Sequence, residues 1–133
     1  MNDPSQNRPL SPFMLFTLYK LQLTSVMSIT HRITGIAVCG GLVLISVLMA
    51  CLAFWPDGYE LLAFCAGTIV GQLVLLGLAW SLFYHLCNGI RHMLWNLGFC
   101  LELRGAYLSG YIVIVTSIAL TAAAWLKIYG VLP

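Results

Sequence analysis

Three long apolar stretches without a charged residue constrain the fold of this sequence more than any other feature. They cover residues 33–55, 61–83 and 106–126. A helix needs about 20 residues to cross the roughly 30 Å hydrocarbon core of a bilayer, so each stretch is long enough. The stretches do not alternate as the strands of a membrane barrel would, and lipid cannot satisfy the backbone of an open sheet. The sequence therefore predicts an all-α integral membrane protein.

The predicted architecture is a single membrane-anchor domain over residues 1–133. Its three transmembrane helices are expected at approximately 29–55, 60–92 and 105–129. Residues 1–27 form a polar, proline-rich tail followed by a mixed segment that is expected to lie along the membrane interface. The first apolar stretch begins too far into the chain for a secretory signal, so no cleaved leader is predicted.

The composition excludes several classes of protein. Of 133 residues, 61% are hydrophobic and 8% are charged, whereas a water-soluble domain carries about 25% charged residues. Six Lys and Arg residues give no basic tract for a nucleic acid. The five cysteines form no CxxC pair, which argues against a disulfide framework or a zinc site.

The distribution of basic residues predicts the orientation in the membrane. Five of the six precede the first span or lie between the second and third: Arg8, Lys20, Arg32, Arg91 and Arg104. The connection at residues 56–60 contains only acidic charges, and Lys127 is the single cation near the end of the chain. Because cytoplasmic loops are enriched in Lys and Arg, the N-terminus and the second connection are predicted to be cytoplasmic.

The first polar cluster is the sequence SITHR at residues 28–32. Ser28 and Arg32 are four residues apart and share one helix face. A hydroxyl beside a guanidinium makes a pair of donors suited to a carbonyl oxygen or a carboxylate. The alternative is that Arg32 only reaches the lipid headgroups and marks the start of the first span.

The second polar cluster is the sequence HLCNGIRH at residues 85–92, which ends the second span. One helix face carries a polar stripe of His85, Asn88, Gly89, His92 and Asn96. Such a stripe must face protein, water or a cofactor, because lipid does not accommodate it. A glycine would let a planar group approach the backbone closely.

His85 is a candidate axial ligand of haem iron, although an interhelical hydrogen bond is the alternative. An electron-transfer haem needs two strong axial ligands. His92 lies on the same helix as His85 and cannot oppose it, while His31 lies on another helix near the surface. The second ligand is therefore expected from another chain.

Three motifs carry a resemblance to a known family. They are RPLSP at residues 8–12, SITHRITG at 28–35 and HLCNGIRHM at 85–93. With the three spans and their spacing, these motifs resemble the cytochrome b556 membrane-anchor subunits of succinate dehydrogenase over nearly the whole chain.

The resemblance implies roles for four residues. His85 would be an axial ligand of haem b, with the opposite ligand a histidine of a second small anchor subunit. Ser28 and Arg32 would line the ubiquinone site, and Arg32 and His31 would hold the haem propionates. The catalytic chemistry on succinate would belong to flavoprotein and iron–sulfur subunits. The chain would thus be a non-catalytic subunit of respiratory complex II, part of a heteromeric bundle in the bacterial inner membrane.

Two positions depart from the family pattern. The family commonly has an aspartate where Asn96 stands, and a histidine where Phe13 stands. Asparagine keeps hydrogen bonding but loses the charge. Neither change affects the proposed haem or quinone residues.

Other functions remain open at this point. A fumarate reductase anchor would run the reaction in the opposite direction, although the first-span motif favours succinate oxidation. A purely structural anchor would use His85 in a hydrogen bond and hold no haem. A channel is disfavoured, because only Gln72 interrupts the apolar outer half of the second span.

Overall fold

A computed structural model describes residues 21–130. Within that range the chain forms four helices and no strand: α1 (Leu23–Phe54), α2 (Pro56–Gly67), α3 (Ile69–Asn96) and α4 (Leu103–Ile128). Helices α1, α3 and α4 are long and apolar enough to cross a membrane. The prediction of an all-α fold with three spans is confirmed. The predicted tail and most of the predicted interfacial segment lie outside the described residues.

Helix α1 begins at Leu23, earlier than the predicted start near residue 29. Two hydroxyls in the polar cluster bond to carbonyls of the preceding turn, Thr30 Oγ1 to Val26 O and Thr34 Oγ1 to Thr30 O, both at 2.9 Å. These bonds let threonines lie within a helix in an apolar setting, because no hydroxyl is left unsatisfied. The whole motif at residues 28–35 is therefore helical.

The second predicted span is divided in two at Thr68. The Thr68 hydroxyl caps α3 by accepting the Gly71 N–H at 3.1 Å, and it donates to the Cys65 carbonyl at 2.6 Å. A side chain at Gly71 would overlap the Cys65 carbonyl oxygen. Pro56 stands in the first turn of α2, where its missing N–H costs nothing. As a result, α3 starts at Ile69 and contains the whole polar stripe.

Helix α3 lies at the centre of the bundle and contacts the other three helices. Gly35 of α1 lies against His85, and Gly41 of α1 lies against Leu78, so α1 and α3 are antiparallel. We call the end of the bundle near Leu23, Asn96 and Leu103 the Leu23 end. The opposite end, near Phe54, Ile69 and Ile128, is the Phe54 end.

The buried core is small and lies toward the Leu23 end. Met27, Tyr84 and Val113 form its centre, one from each of the three long helices. The Tyr84 hydroxyl donates to the Met27 carbonyl at 3.3 Å, which joins α3 to α1. Most of the large apolar side chains along the helices are exposed, as expected for a chain whose outer surface contacts lipid or further membrane helices.

Candidate functional site

A pocket of about 410 Å³ opens between α1 and α3 at the Leu23 end. It brings together Ser28 and Arg32, the two residues that the sequence predicts for a quinone site. Ser28 is half-buried, and Arg32 is exposed. Among the described residues, the pocket is lined by Thr24, Ser25, Ser28, Ile29, Arg32, Arg91, His92 and Trp95.

Arg91 lies on the opposite wall of the pocket. In the sequence, its charge indicated only the orientation in the membrane. Its side chain is 4% exposed. Nε donates to Ser109 Oγ at 3.0 Å, Nη1 to Asn88 Oδ1 at 3.3 Å and Nη2 to the Ala106 carbonyl at 2.8 Å. The guanidinium also lies 4.0 Å from the centroid of the Trp95 ring, a cation–π contact. Arg91 therefore joins α3 to α4 and fixes the orientation of the indole.

The electrostatics of the pocket are one-sided. Arg32 and Arg91 both line it, and no Asp or Glu is among its lining residues. The hydrogen-bond partners of Arg91 are neutral, so its positive charge is solvated by dipoles but not cancelled. Such a pocket suits a ligand whose oxygen atoms are negative or become negative during a reaction.

His85 lies beside this pocket and packs against α1. Its ring stacks on that of His31, with centroids 4.0 Å apart and planes 9° apart. His85 Nδ1 is 3.1 Å from the His31 carbonyl oxygen. Because a carbonyl only accepts, Nδ1 carries a proton, and in the neutral ring the lone pair is then on Nε2. This is the tautomer of a metal-bound histidine, whose other ring nitrogen donates to a carbonyl or a carboxylate.

The small size of Gly35 makes this position of His85 possible. A Cβ at Gly35 would lie 3.0 Å from Cε1 of His85, closer than most side-chain contacts. Gly89, the glycine of the polar stripe on α3, has open space beside it. The glycine that accommodates the imidazole is therefore on α1, in the SITHRITG motif, rather than on α3.

The surroundings of His85 fit a haem group. Nδ1 of His31 is buried and has no hydrogen-bond partner among the described residues, so it can donate to a carboxylate such as a propionate. An apolar groove of about 260 Å³ runs between α1 and α3 toward the Phe54 end, bordered by Leu82, about one turn from His85, and by Val38, about two turns from His31. An apolar macrocycle suits such a groove. The described residues hold no group of three or more His, Cys, Asp or Glu side chains that would suit a free metal ion.

The rest of the polar stripe is partly buried. Asn88 is fully buried and lies 3.4 Å from His92 Nε2 through its side-chain nitrogen, besides accepting from Arg91. Asn96 is the last residue of α3 and is exposed. The inward part of the stripe thus runs from His85 through Asn88 to His92.

A family model for the succinate dehydrogenase/fumarate reductase transmembrane subunit matches residues 4–124. The chain belongs to this family. The match spans the two motifs that build the pocket and nearly all of α4, so the resemblance seen in the sequence is confirmed. Together with the three apolar helices, it makes the chain a multi-pass membrane subunit.

Individual relatives agree with this membership. The succinate dehydrogenase cytochrome b556 subunit of Rickettsia felis is 35% identical over 118 residues, covering 89% of this chain and 90% of the relative. The cytochrome b556 subunit of Paracoccus denitrificans is 35% identical over 114 residues, 86% of each chain. The cytochrome b560 subunit of Marchantia polymorpha is 44% identical over 115 residues, 81% of each chain. These membrane subunits match the chain over most of its length.

Proposed function

We propose that the chain is the haem b-binding membrane anchor of a succinate dehydrogenase and contributes to its ubiquinone-reduction site. One observation carries this proposal: the pocket containing Ser28 and Arg32 and the stacked His31–His85 pair lie side by side at one end of the bundle. A quinone and a haem placed there would be close enough to share electrons. The relatives' names support a haem, since each is a cytochrome b subunit.

Ser28 and Arg32 act on the quinone. The Ser28 hydroxyl donates a hydrogen bond to a quinone carbonyl and orients the ring. The Arg32 guanidinium stabilises the negative charge that develops on a quinone oxygen as electrons arrive. Arg32 is well suited to this role because its side chain has no carboxylate neighbour among the residues lining the pocket.

His85 would hold the haem iron through Nε2, and His31 and Arg32 would hold the propionates. When bound, the haem supplies a one-electron store next to the quinone. The hydrogen bond from Nδ1 of His85 to the His31 carbonyl fixes the ring and its tautomer. The other two histidines of the chain would not supply a further ligand to that iron, since His31 stacks face to face on His85 and His92 shares its helix. A second small anchor subunit supplies that ligand.

The remaining partners follow from the family. A flavoprotein and an iron–sulfur subunit oxidise succinate and dock on the cytoplasmic side of a bacterial inner membrane. The Leu23 end faces that side, because Arg32, Arg91 and Arg104 lie there, whereas Asp57 and Glu60 lie at the Phe54 end. Electrons leaving the iron–sulfur subunit thus arrive at the end of the bundle that carries the pocket.

The test is a reduced-minus-oxidised absorption spectrum of the complex purified in mild detergent. His85→Ala should abolish the low-spin b-type signal while the other three subunits still co-purify. Leu86→Ala is the matched control, since Leu86 is the next residue and is exposed. An unchanged haem spectrum in His85→Ala would disprove the ligand assignment.

A fumarate reductase anchor is the second candidate, because the family model covers both enzymes. The two differ in the direction of electron flow. Comparing succinate–ubiquinone with quinol–fumarate activity of the purified complex distinguishes them, and the succinate dehydrogenase names of the relatives favour the first.

A further inference from the structure

The position of the short helix α2 relative to the membrane does not follow from the three spans. It has 12 residues and joins the end of α1 to the start of α3. The contacts of Gly35 with His85 and of Gly41 with Leu78 set the register between α1 and α3. Continued along both helices, that register places Ile69 beside Cys51. The start of α3 therefore lies only about 5 Å short of Phe54, by helical rise.

Chain length then excludes α2 as a straight continuation of α3. On the axis of α3, Pro56 would lie about 20 Å beyond Ile69. Phe54 lies only about 5 Å beyond Ile69, which leaves a gap of about 15 Å. The two residue steps from Phe54 to Pro56 span at most about 7 Å. Helix α2 must therefore turn across the Phe54 end of the bundle, in agreement with the break at Thr68 and with its contacts to both α1 and α3.

The surface of α2 suits a lipid headgroup region. Every fourth residue from Gly58 is shielded from solvent: Gly58 is buried against the Trp55 ring, and Leu62 and Ala66 are half-buried. The remaining surface is mixed, with Asp57 in the first turn and Phe64 74% exposed near the other end. A short helix that exposes both carboxylates and large apolar side chains can place the carboxylates among the headgroups and the apolar side chains at the acyl boundary.

The residues that flank α2 point to the same environment. Trp55, just before the helix, is 59% exposed, and Tyr59 in its first turn is 36% exposed. Trp and Tyr are enriched at membrane–water interfaces. At the other end, the Thr68 hydroxyl satisfies backbone groups of both flanking helices, as a break near hydrocarbon requires.

We propose that α2 is an interfacial helix bound to the bilayer surface at the Phe54 end, and that the second span is α3 alone, starting at Ile69. The ligand of its outer surface is the lipid headgroup region. This placement has a consequence for the histidines. A span of about 20 residues from Ile69 reaches Asn88, so His85 lies inside the hydrocarbon region. With the apolar stretch 61–83 as the span, His85 would lie beyond it.

The test compares pairs of nitroxide labels on one helix face. Asp57→Cys and Phe64→Cys are seven residues apart and share a face, and so do Glu60→Cys and Gly67→Cys. All four positions are exposed, and Gly67 has open space for a side chain. The complete complex, with the native cysteines of this chain replaced by serine, is reconstituted in phosphatidylcholine vesicles. Oxygen and nickel-chelate accessibilities then give the depth of each label, after subtraction of the unlabelled parent.

An interfacial helix gives less than about 5 Å of depth difference within each pair, whereas a spanning helix gives about 10 Å. The matched control is Val47→Cys with Phe54→Cys, seven residues apart on α1 at the same end and both exposed. That pair should differ by about 10 Å. The proposal is overturned if Phe64 lies about 10 Å deeper than Asp57, or if every α2 label is as accessible to the nickel chelate as a label in free water. Because α2 contains no haem or quinone residue, failure here leaves the proposed function standing.

Discussion

The two ends of the bundle differ in the polar side chains that join one long helix to another. At the Leu23 end, Tyr84, His85 and Arg91 donate across helices, to Met27 of α1, His31 of α1 and Ala106 of α4. Toward the Phe54 end, hydroxyls such as those of Ser46 and Thr121 bond to their own helix. A hydroxyl that bonds within its own helix does not constrain how neighbouring helices pack. A donor that reaches another helix fixes the relative position of the two helices. The polar chemistry is therefore concentrated where the pocket and the histidines lie.

The cross-helix contacts of Arg91 should matter most, and Arg91→Leu should disrupt the Leu23 end. The substitution leaves the buried Asn88 oxygen without its donor, breaks the bonds to Ser109 and to the Ala106 carbonyl, and removes the cation–π contact with Trp95. Hydrogen bonds to charged groups contribute about 1.5–3 kcal/mol each, so we expect a loss of about 3 kcal/mol or more. Thermal unfolding of the complex in detergent measures it.

Arg104→Leu is the control for Arg91, since Arg104 is exposed and lies at the same end of the bundle. It should unfold at nearly the wild-type temperature, because exposed charges contribute little. Equal stability of the two variants would mean that Arg91 does not hold α3 and α4 together.

Replacing Arg32 should lower the rate of ubiquinone reduction without lowering the stability of the complex, in contrast to replacing Arg91. Arg32→Leu removes an exposed side chain, so the complex should assemble. Loss of one preorganised donor lowers a rate by roughly 10²-fold or more, and ubiquinone reduction should fall accordingly. Succinate oxidation by an artificial dye should be unchanged, because it bypasses the membrane subunit. Equal loss of both activities would show failed assembly and contradict a direct role on the quinone.

Ser28→Ala should give a smaller effect of the same kind. A neutral hydrogen bond contributes about 1 kcal/mol, which corresponds to a change of about fivefold. The loss should appear mainly in the KM for ubiquinone, since the hydroxyl orients the ring. Ser46→Ala is the matched control, because its hydroxyl bonds only to Leu42 of its own helix, away from the pocket. A wild-type KM in Ser28→Ala would remove Ser28 from the site.

At the Leu23 end, the sequence identified candidate site residues but not the contacts between them. The motif spacing predicted Ser28, Arg32 and His85 as candidate site residues, because polar side chains are costly in a membrane span and usually have a function there. The burial of Arg91 could not be predicted, since it depends on a carbonyl 15 residues away on α4. The stacking of His31 on His85, 54 residues apart, likewise depends on the register of two helices.

The Phe54 end shows the limit of apolarity as a predictor. Residues 61–83 carry no charge and are mostly apolar, yet the helix breaks at Thr68, because one hydroxyl cap and nearby glycines change the backbone geometry while the stretch stays apolar on average. A hydroxyl residue three positions before Gly71 was the available signal, since Thr is a favoured N-cap. Apolarity predicted the number of spans correctly, and its second stretch begins eight residues before α3 does.

The smallest expected effects distinguish a packed glycine from an open one. Gly35 lies against His85, whereas a Cβ at Gly40 has no neighbouring atom within 4 Å. Gly35→Ala should move the imidazole by a few tenths of an ångström and shift or broaden the haem absorption bands. Gly40→Ala should leave the spectrum unchanged and stabilise α1 slightly, since alanine is favoured over glycine in a helix by up to about 1 kcal/mol. Absorption spectra and thermal unfolding of the two complexes measure both effects.

The two glycine variants are matched controls for each other, because they make the same change five residues apart on one helix. If Gly35→Ala left the haem spectrum identical to wild type, the imidazole of His85 would not be held against α1, and its hydrogen bond to the His31 carbonyl would have to form in some other way. If Gly40→Ala perturbed the haem as much as Gly35→Ala, the effect would come from α1 as a whole and not from the contact. Only a shift confined to Gly35→Ala supports the view that α1 positions the haem ligand of α3.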